Sequence, residues 1–431
     1  MVINGLKEKT TNIPLYLAII VPFFCGFGKM ASAIVCLLEL LILLFYLPQK
    51  KFWWLAPIFY IYYTQLKIGS LTFFNVYIML AALKMFFIDK NFVFYKSSTW
   101  CILILIIYAA IVLALQDTLW TGALLLIQSL ISFFSLQKIS RDEDTVSKLK
   151  FVLVAMCLSA ALYGLFFRNI KGSYETVEGL VQYTGRYSGT MSDPNYMAFF
   201  YSLSYCTVLF ARFKFFAIKW VLAGLLFLCI ALTGSITAIL NYAVVLIAYI
   251  FFAREEKSSQ KRIGVIIITI FSVCFLLYLF SDLDNIPILN MYKERLLEKI
   301  NDLISGDIDG VTTGRTEYSG LYVEYLFQQD VFRILFGGYQ LNAMGLIGEA
   351  ADKISYAAHN SYVDVLMTCG VVGLVVFVAA FITRLIKIFN DWQKGRNVND
   401  ISRLIYIIIA LIYMGGLSVF PGVNYMFFLL L

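Results

Sequence analysis

The stretch Phe215–Ala253 reads FFAIKWVLAGLLFLCIALTGSITAILNYAVVLIAYIFFA. It contains two apolar runs, 215–232 and 236–253, joined by a turn around Thr233, Gly234 and Ser235. Lys219 is the one charge inside it, and Lys214 and Arg254 flank it. A helix needs about 17–25 apolar residues to cross a ~30 Å hydrocarbon core. In lipid the backbone must satisfy its own hydrogen bonds, which leaves only helices and closed barrels as spanning structures. The stretch therefore reads as a helical hairpin through a membrane.

The pattern recurs along the chain. Further apolar runs fall at 13–28, 30–47, 52–66, 71–88, 100–115, 119–136, 149–167, 195–212, 263–281, 360–383 and 402–420. The runs are continuous rather than alternating, which argues against a β-barrel. The expected fold is all-α: a polytopic transmembrane helix bundle of about 12–14 spans. Composition agrees. Of 431 residues, 61 % are hydrophobic, 17 % aromatic and only 14 % charged. A soluble domain averages ~25 % charged residues, and so few charges could not cover a soluble surface of this size. Disorder, which needs low hydrophobicity and high charge, is excluded.

The net charge of +7 is not concentrated in any one loop, so nucleic acid is not an expected partner. The eight cysteines lie in or beside apolar runs with no CxxC pair, and read as small polarizable hydrophobes. Lys7 and Lys9 precede the first run, and no small-residue cleavage site follows it; it reads as a retained span. With the N-terminus in the cytoplasm, 23 basic residues fall on the inner side against five on the short outer segments. That is the bias the positive-inside rule requires.

This orientation divides the chain into five parts: a transmembrane bundle over 1–167, a first outer loop at 168–194, central spans over 195–281, a large outer loop at 282–359, and C-terminal spans over 360–431. Other connections are short, so function is expected on the two outer segments. The large loop has helical periodicity at 290–304 and again at 313–332, with Thr313 as a cap and Glu317 in the first turns. Gly337 and Gly338 break that pattern before Tyr339. Such amphipathic helices lie along a membrane or cap a cavity.

His359 is the only histidine, at the junction of the large loop and a span. It reads either as an interfacial residue with no role or as a proton acceptor near neutral pH. Arg186 and Arg315 each follow a glycine near a membrane mouth, where a guanidinium suits phosphate oxygens, whether of a substrate or of lipid headgroups. Arg168 and Lys171 add positive charge to the first outer loop. Asp193 and Pro194 read as helix-start chemistry, with a catalytic carboxylate as the minor reading. Glu39 sits mid-span, where an ionisable residue is either functional or paired. No nucleotide, zinc-protease or serine-hydrolase motif occurs in a convincing context. No metal or cofactor is expected.

Four stretches, taken together and in order, resemble the O-antigen ligase/polymerase superfamily of bacterial polytopic glycosyltransferases, which includes the Wzy-type polymerases and WaaL-type ligases. They are Gly185–Thr190 with Asp193–Asn195, Leu232–Thr237, Gly314-Arg315 with Gly337-Gly338-Tyr339, and His359–Tyr362 with Gly370 and Gly373. The likeness covers about 180–375. Ile236 stands where many family members have arginine, which leaves more of the phosphate binding to Arg186 and Arg315.

The resemblance implies a GT-C-like, metal-independent transferase in the bacterial cytoplasmic membrane, acting on its outer face. It implies a glycan on undecaprenyl diphosphate as both donor and acceptor, with a chain-length regulator and a flippase as partners. His359, Arg186 and Arg315 would be catalytic. Arg168, Lys171, Asp193, Asn195, Tyr339 and Asn360 would bind substrate. A polymerase of repeat units is the favoured reading. A ligase that passes finished polymer to lipid A-core is the alternative. A flippase or transporter would instead show repeat symmetry, broken mid-membrane helices and several buried charges.

Overall fold

The structure, a computed structural model, describes residues 13–47, 49–62, 65–68, 71–84, 100–116, 143–167, 174–177, 180–183, 187–191, 193–213, 215–252, 287–312, 314–339, 358–395 and 398–417, with isolated positions between. In chain order the helices are α1 (Ile13–Ile20), α2 (Lys29–Tyr46), α3 (Gln49–Phe52), α4 (Ala56–Ile61), α5 (Phe73–Leu83), α6 (Trp100–Gln116), α7 (Glu143–Phe167) and α8 (Pro194–Phe210). They continue as α9 (Phe216–Leu232), α10 (Ile236–Phe252), α11 (Pro287–Ser305), α12 (Ile308–Thr312), α13 (Arg315–Phe327), α14 (Val331–Phe336), α15 (Ser361–Gly395) and α16 (Val398–Met414). Two short antiparallel hairpins interrupt them. One joins β1 (Lys67–Ile68) to β2 (Leu71–Thr72); the other joins β3 (Tyr174–Val177) to β4 (Leu180–Tyr183). The second hairpin lies within 168–194, where the sequence pattern predicts only a loop.

The fold is thus predominantly helical. Among the described residues three helical stretches are long and apolar enough to cross a membrane: Lys29–Tyr46, Val146–Phe167 and Ser361–Gly395. The opening hairpin is α9 and α10. Thr233 closes α9 by donating its hydroxyl to the Ile230 carbonyl at 2.7 Å, and Gly234 turns the chain at φ 59°. The Ser235 carbonyl then accepts the amides of Ala238 and Ile239 in the first turn of α10, both at 3.1 Å.

The chain forms two compact units, Met1–Val93 with Lys138–Leu296, and Phe94–Gln137 with Leu297–Leu431. In the first unit α8 is the central helix, buried along nearly its whole length. Pro194 starts it, and Asp193 caps it, its Oδ1 accepting the Asn195 amide at 2.7 Å. Tyr187–Met191 is buried before it. Thr190 donates to the Ile61 carbonyl at 2.5 Å, and Gln65 donates to the Thr190 carbonyl at 2.9 Å. Tyr163 donates to the other side of that Gln65 amide at 3.2 Å. Burying these groups is tolerable only because each is paired.

In the second unit, α15 is not one straight helix. Gly370 sits inside it at φ 68°, ψ −171°, a conformation that breaks the helix and that glycine alone enters without steric cost. The expected span at 360–383 is therefore a short helix followed by a long one.

All eight cysteines are free, six of them buried, in keeping with their reading as apolar side chains. Glu39 keeps one carboxylate oxygen buried, with no hydrogen-bond partner among the described residues.

Candidate functional site

The second unit assembles several of the residues singled out by sequence. The break at Gly370 frees carbonyls that a continuous helix would use. The segment after α14 supplies donors to two of them: the Gly338 amide to the Thr368 carbonyl at 2.9 Å, and the Tyr339 amide to the Met367 carbonyl at 3.2 Å. A Cβ on Gly337 would lie 2.6 Å from the Gly370 nitrogen, and one on Gly370 would lie 2.2 Å from the Leu335 carbonyl oxygen. The two backbones touch, which explains glycine at both positions.

Tyr339 is thereby seated in a small core with Tyr322, Leu326, Ala358, Val363, Leu366 and Met367. Its ring packs edge-on against Tyr325 at 5.6 Å, and the Arg333 guanidinium lies 5.2 Å from its centroid.

Helix α13 begins at Gly314, whose φ of 75° reverses the chain. Thr313, the expected cap, lies outside the described residues. The first amides of α13 are taken up by side chains of α12: Glu317 donates to Asp309 Oδ1 at 3.1 Å, and Thr316 donates to Thr312 Oγ1 at 3.3 Å. Arg315 donates from Nη1 to the Gly416 carbonyl at 2.8 Å, just past the C-terminus of α16. That carbonyl lies just beyond the negative end of the α16 dipole, a natural seat for a guanidinium.

The segment carrying His359 meets the same helix end. The Ser361 amide and hydroxyl both donate to the Leu417 carbonyl, at 3.1 and 2.5 Å, and the Tyr362 hydroxyl donates to the Leu411 carbonyl at 2.8 Å. Asn360 caps α15, its Oδ1 accepting the amides of Tyr362 and Val363 at 3.0 and 3.4 Å. His359 itself has φ 48°, a left-handed backbone that no other non-glycine described residue adopts. Such strain costs about 1–3 kcal/mol and persists only where the surroundings hold it.

Arg315 and the His359 segment thus converge on consecutive carbonyls, those of Gly416 and Leu417. Sequence reading did not single out three further residues here. Arg315, Ser319 and Tyr322 share one face of α13. Ser319 donates to the Ala358 carbonyl at 3.5 Å, and the charge of Asp364 acts on Tyr322. Asp364 is only 4 % exposed, in the first turn of α15. The spacing of the α13 face was a usable signal; so was a lone carboxylate at the head of an apolar run.

Arg186, Arg168 and Lys171 lie outside the described residues. Asp193 and Asn195 belong to the first unit, where Asp193 spends one oxygen on the α8 cap and Asn195 is buried beside it. No protein-family model matches this chain, and no curated protein matches it.

Proposed function

We propose that the protein is a membrane glycosyltransferase that joins oligosaccharide repeat units carried on undecaprenyl diphosphate into O-antigen or capsular polysaccharide. In this reading the chain is a GT-C-like bundle of 12–14 spans in the bacterial cytoplasmic membrane. Its N-terminus is cytoplasmic, and the large loop faces outward. The observation that carries it is the convergence of Arg315 and the His359 segment on the end of α16. It joins the third and fourth stretches of the family resemblance, which are separated in sequence.

The chemistry follows from residue types. The acceptor hydroxyl forms a bond to the anomeric carbon of the donor sugar. The bond from that carbon to the diphosphate oxygen breaks, and the lipid diphosphate leaves with the electron pair. Diphosphate is a good leaving group, so the protein mainly positions reactants and neutralises charge. Arg315 stabilises the departing diphosphate, and His359 orients the acceptor hydroxyl and takes its proton.

One observation favours a second reading. A helix broken inside an apolar stretch, as at Gly370, is a feature of transporters. The lipid-linked glycan pool of a strain lacking the gene separates the readings. Single repeat units on the carrier at the outer face establish the polymerase. Finished polymer stranded on the carrier means a ligase. Units trapped at the inner face mean a transporter, and the roles given to Arg315 and His359 then fall.

A further inference from the structure

We infer that α14 is a re-entrant element of the large loop, whose outward side is covered by the acyl chains of the outer lipid leaflet. Four of the five apolar side chains of α14 are exposed: Val331 at 71 % and Phe332 at 67 %, with Leu335 and Phe336 less so. The rings of Phe332 and Phe336 pack against each other at a tilt, with centroids 5.1 Å apart. Exposed aromatic pairs are costly in water and cost nothing in hydrocarbon.

The depth of α14 follows from what holds it. Its end touches Gly370 in α15. The Phe336 carbonyl accepts a hydrogen bond of 2.8 Å from the hydroxyl of Tyr108, the middle residue of the uncharged 17-residue helix α6. At ~1.5 Å per residue, Tyr108 lies roughly 12 Å from either end of α6. In α15 the uncharged stretch runs between Asp364 and Arg384. Gly370 therefore lies roughly 9 Å inside the Asp364 end. Both measures put the C-terminal end of α14 within the apolar layer defined by two helices of its own unit.

Irregular backbone at that depth is tolerated only where protein covers it, and the backbone here is covered: the amides of Gly338 and Tyr339 are spent on the α15 carbonyls. Helix α14 is capped by Asp330, whose Oδ1 accepts the Arg333 amide at 3.0 Å, and Gln328 and Gln329 precede it. The polar end thus lies towards the headgroups and the glycine end is deeper. Arg333 turns back over Tyr339 and the carbonyls of Gly337 and Gly338 instead of facing lipid. Lipid is chosen over a protein partner because the apolar face continues the apolar level of the helices that clamp it.

The inference rests on the membrane reading of α6 and α15, not on glycosyl transfer. The test uses the full chain with the exposed Cys101 and Cys274 replaced by serine. Phe336→Cys, Leu335→Cys and, as the water-facing control, Gln328→Cys are labelled with an environment-sensitive fluorophore in phosphatidylcholine/phosphatidylglycerol vesicles. Flotation with the vesicles is checked first, and its failure sinks the membrane reading itself.

The expected result at positions 335 and 336 is quenching about twofold stronger by acyl-chain nitroxide lipid than by headgroup nitroxide. Quenching by aqueous iodide is expected to be several-fold weaker than at 328. Iodide quenching equal to that at 328 overturns the inference. So does a dry, blue-shifted label that neither nitroxide quenches, since protein then covers the face. If Phe336→Cys does not fold, Leu335→Cys decides alone.

Discussion

The guanidinium of Arg315 donates a hydrogen bond to the carbonyl of Gly416, 2.8 Å away and 101 residues later in the chain. The next carbonyl, of Leu417, holds Ser361, two residues after His359. One helix end therefore sets the position of both the cation and the imidazole-bearing turn, and a change at either is expected to reach the other.

Replacing Arg315 separates charge from geometry. Arg315→Ala is expected to abolish polymer formation while the protein still reaches the membrane. Its cost in stability is of the order of a charged hydrogen bond, about 1.5–3 kcal/mol at most. Arg315→Lys keeps the charge but loses the planar fork, so it is expected to fold normally and retain little activity. Polymer length on gels, with thermal unfolding in detergent, checks both. Full activity in Arg315→Ala would remove this residue from the site.

At His359 the backbone and the ring are separable. His359→Gly relieves the left-handed strain and is expected to match or exceed the parent in stability, whereas His359→Ala keeps the strain. Both lack the imidazole, so both are expected to lose polymer formation. An active His359→Gly would mean that the residue serves only the turn.

Gly370 and Gly337 admit no side chain. Gly370→Ala places a methyl at 2.2 Å from the Leu335 carbonyl oxygen and forces φ 68° on an alanine. The strain term alone is about 1–3 kcal/mol. The expected result is loss of the α14 contact, read as faster protease cleavage near Val331 and a lower unfolding temperature. Unchanged protection would show that the two backbones need not meet.

The Tyr322 phenol is held above its ordinary value of 10.0, first by burial and then by the charge of Asp364. The folded state keeps this proton where the unfolded chain has lost it. Tyr322 therefore costs no stability below about pH 10, and removes stability as pH rises from there through the raised value. Asp364→Asn removes the second cause and is expected to lower the pH at which Tyr322 ionises. Tyrosinate absorbance, taken as the difference from Tyr322→Phe, reads it out. No movement would mean that the carboxylate does not act on this phenol.

Much of the helical framework was legible because its signals are local. Apolar runs mark α2, α7, α9, α10 and α15 to within a few residues at most boundaries, since a helix in lipid is defined by unbroken apolar length. Asp193 and Pro194 announced the start of α8, because a cap acts on amides two or three residues away. The glycine pair before Tyr339 marked the end of α14. The β3–β4 hairpin was missed because two four-residue strands leave too short a pattern to read.

What only the tertiary structure decided is long-range pairing. Nothing near Gly370 in sequence shows that α15 breaks there. Glycine permits both a continuous helix and a kink, and the choice depends on the Leu335–Gly338 backbone lying against it. Nothing near Arg315 names Gly416, because a backbone carbonyl carries no sequence identity. Asp364 and Tyr322 were invisible as a pair for the same reason: their coupling is electrostatic and arises from how α13 packs on α15. Hydrophobic length and capping are short-range and are written in the order of residues. Carbonyl acceptors, backbone contacts and buried charge pairs are set by packing, and only the folded chain shows them.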